Sequence, residues 1–228
     1  MDVIENALQE KRHALSEHES KELLRAYGIP VTREKEAVNQ QQFEENIREI
    51  GFPLVVKASG PRLSHKTERG LVHVDIRSEA EALAAYREVM SKIEADDDAT
   101  VLVQEMVIGK RELVVGLTRD LQFGPCVMFG LGGIFTEILK DISFRVAPIE
   151  KRDALDMMQE INARKILKAV RGMPPADLDQ LSEILITVGS IGLEQESIKE
   201  IDINPIILSG SRPIAVDALV VLSPKTQQ

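Results

Sequence analysis

Apolar positions along this chain switch repeatedly between helical spacing and strand alternation. Residues 1–15 read as a charged lead-in helix, and Ser16 to Tyr27 as a helix closed by Gly28, after which Ile29-Pro30-Val31 starts an extended segment. Asn39 to Ile50 predicts a helix stopped by Gly51, and Leu54-Val-Val-Lys57-Ala a short buried strand. Leu71 to Ile76 reads as a strand. Ser78 and Glu81 form a capping-box signature ahead of a helix with Leu83, Tyr86, Met90 and Ile93 on its apolar face. Val101 to Val107 and Glu112 to Thr118 predict two strands around the turn Ile108-Gly109-Lys110. Cys126 to Phe129 reads as a buried strand before the glycine turn Gly130-Leu-Gly-Gly133, and Ile142 to Pro148 as another strand. Ala154 to Val170 and the stripe Leu178, Leu181, Leu185, Val188 predict helices. A closing hairpin pairs Glu200–Pro205 with a strand over Pro213–Val221.

Helices and strands thus alternate throughout, which points to a mixed α/β or α+β protein. A charged break between Thr118 and Gly124 suggests a smaller lobe over 16–118 and a larger one over 119–228. Two lobes meeting at a cleft are where a cofactor site is expected.

Composition narrows the function classes. With 228 residues, 43% hydrophobic, the chain can bury a substantial core. Its net charge of −9 argues against nucleic-acid backbone binding and against an anionic membrane surface. No apolar run reaches transmembrane length, and Met1-Asp-Val-Ile-Glu does not read as a signal peptide. Cys126, the single cysteine, reads as a buried core thiol, and the expected compartment is the reducing cytoplasm.

The richest chemistry lies in Glu200-Ile-Asp202-Ile-Asn204-Pro205. Strand alternation puts Glu200, Asp202 and Asn204 on one face, with Ile201 and Ile203 in the core. Such oxygen donors suit Mg²⁺, which shares its remaining shell with phosphates and water. Asp217 is the lone acid in an apolar run, where a carboxylate is costly without a partner or metal, and the hairpin brings it beside Asn204. A solvated edge strand is the competing explanation.

Other positions are weaker alone. Lys57 ends a buried strand and either meets a phosphate or snorkels. The loop from Ser59 to Gly70 gathers hydroxyls and cations that can fold over a triphosphate, though its composition also suits a solvated loop. Within it, His65 can accept or relay a phosphoryl group. The end of the Gln104-Glu105-Met-Val107 strand can offer backbone groups to an adenine edge, and a carboxylate such as Glu112 can hold ribose; a plain hairpin is the competing reading. Gly132 and Gly133 can admit an anion close to the backbone. Glu137, Lys140, Asp141 and Arg145 are candidates for polar contacts at the lobe junction. Walker A and dinucleotide fingerprints are both absent.

Taken in order, Lys57 on its strand, Ser-His65-Lys66-Thr-Glu, Gln104-Glu-Met, Lys-Arg-Glu112-Leu, Phe-Gly-Leu-Gly-Gly-Ile-Phe-Thr-Glu137 and Glu-Ile-Asp-Ile-Asn-Pro resemble the ATP-grasp β subunit of ADP-forming acyl-CoA synthetases. The resemblance spans about residue 10 to residue 222. It implies an ATP-grasp fold with ATP or ADP held between two lobes. Lys57 would contact phosphates; Gln104, Glu105 and Val107 would line the adenine; Glu112 would bind ribose; Asp202, Asn204 and Asp217 would hold Mg²⁺. His65 would handle the phosphoryl group with Lys66 beside it, in a reaction interconverting acyl-CoA, ADP and phosphate with acid, CoA and ATP. The CoA site and first phosphohistidine would belong to a partner α subunit, in an α₂β₂ assembly. One departure is Arg69-Gly70-Leu71, where the family often shows paired glycines. Competing functions are an ATP-grasp carboxylate ligase without a histidine shuttle, and a non-catalytic nucleotide-sensing module.

Overall fold

The computed structural model describes residues 3–63, 66, 68–94, 97–133 and 141–223. The chain divides into two compact units, one made of Met1–Ser20 with Thr32–Met106 and the other of Lys21–Val31 with Val107–Gln228.

The first unit begins with α1 (Val3–Gln9) and the opening of α2 (Glu17–Ala26). It continues through β1 (Glu34–Ala37), α3 (Gln40–Ile50), β2 (Leu54–Ser59), β3 (Val72–Ile76), α4 (Glu79–Lys92) and β4 (Thr100–Glu105). The strands form an antiparallel sheet in the order β1-β4-β2-β3. Helix α3 has its expected punctuation: the Asn39 side chain accepts the Gln42 amide, and Gly51 follows at φ +80°. Ala37, Val56, Ala58, Val101 and Val103 form the buried face of the sheet, in one core with Phe43 and Ile47 of α3 and Ala82, Ala85, Tyr86 and Val89 of α4. The Phe43 and Tyr86 rings lie 4.6 Å apart. The α4 face is rotated from the expected one: Met90 is exposed, and the buried row is built on small alanines that let the helix approach the sheet. The Ser78 hydroxyl caps the Glu81 amide, but the Glu81 carboxylate accepts from Arg77 N, so the box closes only on one side.

The second unit contains β5 (Glu112–Asp120), β6 (Gly124–Leu131), β7 (Ile142–Val146), α5 (Lys151–Glu160), a 3-10 turn (Arg164–Leu167), α6 (Leu178–Glu194), β8 (Ile198–Ser209), β9 (Arg212–Ala215) and β10 (Leu219–Leu222). Its six strands run β10-β8-β5-β6-β7, with β9 paired to β8. Both α5 and α6 pack on one face of this sheet. Gly189 and Gly192 let α6 close against Val127 and Leu117.

Several expectations need correction. The strands at 101–107 and 112–118 are not a hairpin: β4 belongs to the first sheet and β5 to the second. The lobe boundary is not near Thr118, because Thr118 pairs with Cys126 inside one sheet; the units divide at Met106/Val107. The helix expected over 154–170 begins at Lys151, where Glu150 and Asp153 form a capping box, and ends at Glu160. Just beyond it, the Asp141 carboxylate accepts the amides of Asn162 and Ala163 at 2.7 Å, redirecting the chain. Gly130 and Leu131 extend β6 instead of starting a turn. Cys126 is half-buried, with burial raising its thiol pKa. The closing strand expected over 213–221 is two strands, interrupted at 216–218.

Candidate functional site

In the second unit, β8 lies between β5 and β10, and its alternation is the expected one: Ile201 and Ile203 are buried, whereas Asp202 and Asn204 are half-buried on the other face. Asp202 pairs with Gly116 on one side and Leu219 on the other, so the neighbouring position on β5 carries no side chain. Ile206 pairs with Ala215 of β9, and the Val216 amide then donates to Pro205 O at 3.0 Å. The chain next joins β10, where Leu219 faces Asp202. Asp217 therefore lies on the step between those two pairings, alongside Asn204. Burial, then the charge of Glu200, then that of Asp217 push the Asp202 carboxyl up to about 6.

The same unit brings Glu112, Gly132 and Gly133 to this strand. The Gly132 amide donates to Glu112 O at 2.9 Å, and the Gly133 amide donates to Asn204 Oδ1 at 3.1 Å. Gly133 has φ +66°, and a Cβ there would sit 2.0 Å from Glu112 Oε2. A Cβ at Gly132 would sit 2.5 Å from the Leu113 carbonyl oxygen. Close approach of the Leu113 backbone at Gly132, and the positive φ at Gly133, thus already favour glycine at both positions. Asp202, Asn204 and Asp217 could together offer a hard cation two carboxylates and an amide oxygen that keeps a second lone pair after receiving Gly133 N–H. A divalent ion such as Mg²⁺ would offset both the burial and the neighbouring acidic charge that raise the Asp202 carboxyl. Among the described residues no group of three or more His, Cys, Asp or Glu is placed to hold a metal ion.

In the first unit, Lys57 pairs with Leu102 and Val55 with Gln104, which puts Lys57 and Gln104 on one face of the sheet, opposite the helix-covered core. Both are buried. Glu105 is one residue further and pairs with Leu54, so its side chain belongs to the other face. There its carboxylate accepts from Arg33 N at 2.8 Å and Arg33 Nε at 2.7 Å, and its own amide donates to Arg33 O. The structure does not group the Glu105 side chain with Lys57 and Gln104. Val107 opens the longer stretch of the other unit.

Lys57 has a partner that sequence reasoning missed. Its ammonium contacts Glu17 Oε1, while Lys66 Nζ donates to Glu17 Oε2 at 2.5 Å. The Glu17 side chain is 3% exposed and that of Lys57 5%. The one available signal was the punctuation in Ser16-Glu17-His18-Glu19. Ser16 and Glu19 form a reciprocal cap, with Glu19 N to Ser16 Oγ at 3.2 Å and Ser16 N to Glu19 Oε2 at 2.7 Å, which puts Glu17 in the first turn. Arg69, where the family pattern departs, is held by Asp97 at 2.9 and 2.6 Å. His65, Glu137 and Lys140 lie outside the described residues. Asp141 and Arg145 serve the fold, the first capping 162–163 and the second pairing with Glu160.

Comparison with known proteins agrees with these motifs. A family model described as an ATP-grasp domain matches residues 6–222. The chain is 46% identical over 226 residues to the ADP-forming acetate–CoA ligase I subunit beta of Pyrococcus furiosus, covering 97% of each chain. It is 39% identical to the ADP-forming acetate–CoA ligase I of Archaeoglobus fulgidus, covering 88% of this chain and 30% of that longer protein. Among solved structures, the dinucleotide-forming acetyl-coenzyme A synthetase 1 of Ca. Korarchaeum cryptofilum superposes with a TM-score of 0.86 at 43% identity, over 97% of this chain and 99% of that one. That structure holds coenzyme A and Mg-AMPPCP, with a phosphohistidine segment pointing towards the nucleotide-binding site.

Proposed function

Because the chain belongs to the ATP-grasp family, and within it to the β subunits of ADP-forming acetate–CoA ligases, we propose that its own residues bind ADP or ATP with Mg²⁺ and transfer a phosphoryl group to or from a histidine of a CoA-binding partner subunit. The observation that carries this reading is the acidic step around β8, where Asp202 is crowded by Glu200 and Asp217 beside Asn204. Phosphoryl transfer needs charge neutralisation and alignment more than covalent help from the protein. Bound at Asp202, Asn204 and Asp217, Mg²⁺ would offset the charge of the nucleotide phosphates.

The remaining roles belong to the chain itself. Lys57 supplies a buried positive charge to the phosphates, and Gln104, on the same sheet face, lies against the base. Glu105 and Val107 contribute to the adenine edge through backbone, since the Glu105 carboxylate is committed to Arg33. Glu112 accepts from the ribose hydroxyls, and the amides around Gly132 and Gly133 define how closely the nucleotide meets β6. His65 receives or escorts the phosphoryl group with Lys66 beside it. The partner brings CoA, the acyl substrate and the first phosphohistidine, in an α₂β₂ assembly. The compartment is the reducing cytoplasm, in keeping with one cysteine and with no helix among the described residues long and apolar enough to cross a membrane.

Calorimetric titration of ADP into the purified chain, with MgCl₂ and with EDTA, tests the reading. Mg²⁺-dependent binding that disappears in Asp202→Ala supports it. Equal binding by wild type and Asp202→Ala in both buffers would remove the metal assignment.

A further inference from the structure

We propose that Glu17 is a positioning residue for phosphoryl transfer: it holds Lys57 and Lys66 together as a single phosphate-receiving pair. This inference rests on the nucleotide role given above to those two lysines. Its basis is a geometry that a purely structural ion pair does not need. One carboxylate, almost fully buried, receives two ammonium groups from different parts of the first unit: Lys57 from strand β2, and Lys66 from the segment between β2 and β3. Two ammonium groups from separate segments converge on one buried carboxylate, at a point where an incoming phosphate would need both.

The anchor is rigid. Glu17 sits in the first turn of α2, where the helix dipole favours a carboxylate. The reciprocal Ser16–Glu19 cap fixes that turn. Arg12 then clamps Glu19 through two hydrogen bonds of 2.6 and 2.7 Å. The Ser20 hydroxyl donates to Ser16 O at 2.8 Å. On the other side, Lys66 O accepts the Leu71 amide at 2.8 Å, and Leu71 O accepts the Ala58 amide at 3.0 Å, so the backbone of Lys66 is tied to the strand that carries Lys57. Glu17 is therefore a fixed point, while the lysines are long side chains able to exchange one oxygen ligand for another. Arriving phosphate oxygens take over contacts that Glu17 had already oriented, which lowers the ordering cost of bringing two flexible cations to one place. Two other acids share the Lys57 face: Glu34 Oε1 meets His18 Nδ1 at 3.1 Å, and Glu36 is a half-buried carboxyl whose pKa is raised mainly by desolvation.

The test is a double-mutant cycle in the complex reconstituted with its CoA-binding subunit, following ATP formation with ADP varied. Wild type is measured first, and a wild type that neither binds Mg-ADP nor turns over would overturn the nucleotide reading itself. Given an active wild type, Glu17→Gln is expected to lower kcat/KM for ADP by about tenfold or more. Lys57→Ala with Glu17→Gln is expected to be within about twofold of Lys57→Ala alone, because both changes dismantle one unit. A structural role alone would lower the melting temperature and multiply the kinetic losses. Wild-type kcat/KM in Glu17→Gln, or losses that multiply in the cycle, would overturn the inference. If Glu17→Gln does not fold, Glu17→Asp, which keeps the charge and withdraws it by one methylene, replaces it under the same criteria.

Discussion

Replacing Asp202 with asparagine should make the metal-free protein more stable, although it removes a carboxylate proposed to hold Mg²⁺. The Asp202 carboxyl is raised from an ordinary 3.8 to about 6 by burial and by Glu200 and Asp217. A group that holds its proton more tightly folded than unfolded weakens the fold as pH rises between those two values. Below about pH 4 the penalty is absent, near pH 5 about half of it has developed, and above about pH 6 it is complete. At about 1.4 kcal/mol per pH unit the full penalty is about 3 kcal/mol. The asparagine side chain cannot ionise and so escapes it, while also relieving the two acidic neighbours. For a chain of this size each kcal/mol moves the melting temperature by about 2–4 °C. In EDTA at about pH 7.5, Asp202→Asn should therefore melt about 6–12 °C above wild type, with the gap roughly halved near pH 5. Adding MgCl₂ and ADP should raise the wild-type transition and leave the variant's unmoved. Differential scanning calorimetry reads both effects. A variant that melts below wild type in EDTA at the higher pH, or that gains as much from Mg-ADP as wild type, would refute the reasoning.

Three other variants probe separate parts of the chain. Gly133→Ala places a methyl group at φ +66° against the Glu112 carboxylate and should cost about 1–3 kcal/mol, read as a lower urea midpoint, together with weaker ADP binding. Arg111→Leu removes a buried guanidinium that donates to Ile166 O, Lys168 O and Gly210 O, and should destabilise the second unit by about 3 kcal/mol in the same denaturation assay; a change below about 0.5 kcal/mol would contradict that bonding. His65→Ala should abolish phosphoryl transfer from the phosphorylated partner to ADP in a single-turnover assay while calorimetric ADP affinity changes by less than about threefold; unchanged transfer would remove His65 from the mechanism.

Features written in neighbouring residues were legible. Asn39 and Gly51 mark the ends of α3, Gly28 follows α2 in a positive-φ conformation, and the alternation along β8 correctly separated Ile201 and Ile203 from Asp202 and Asn204. Features that depend on distant partners were not. β4 and β5 look like a hairpin because both are apolar strands flanking a glycine, yet each finds both its partners elsewhere, β4 between β1 and β2 and β5 between β8 and β6, in different sheets. The end of α5 is dictated by Asp141, a residue from before the helix whose carboxylate captures the amides beyond it. For the candidate site, the acidic half lay on one local motif and was readable, whereas the Glu17–Lys57–Lys66 group joins a helix start, a strand and a loop. Nothing in the sequence of any one of them announces the other two. Glu105 shows the reverse limit: its place in the motif was visible, but one step of strand parity turns its side chain away to Arg33.

The allocation of Lys21–Val31 to the second unit has a consequence for inheritance and engineering. Lys21 Nζ donates to Val216 O, Ala215 N to Pro30 O, and Val31 bridges Ala215, so this early segment completes a structure that otherwise begins at Val107. Neither unit corresponds to one uninterrupted stretch of gene. A fragment started at Val107 would lack the piece that covers β9, and a fragment ended at Met106 would carry that piece with nothing to receive it. A single crossover therefore cannot exchange one unit intact, and chimaeras that exchange one unit between relatives must move two separate coding segments together.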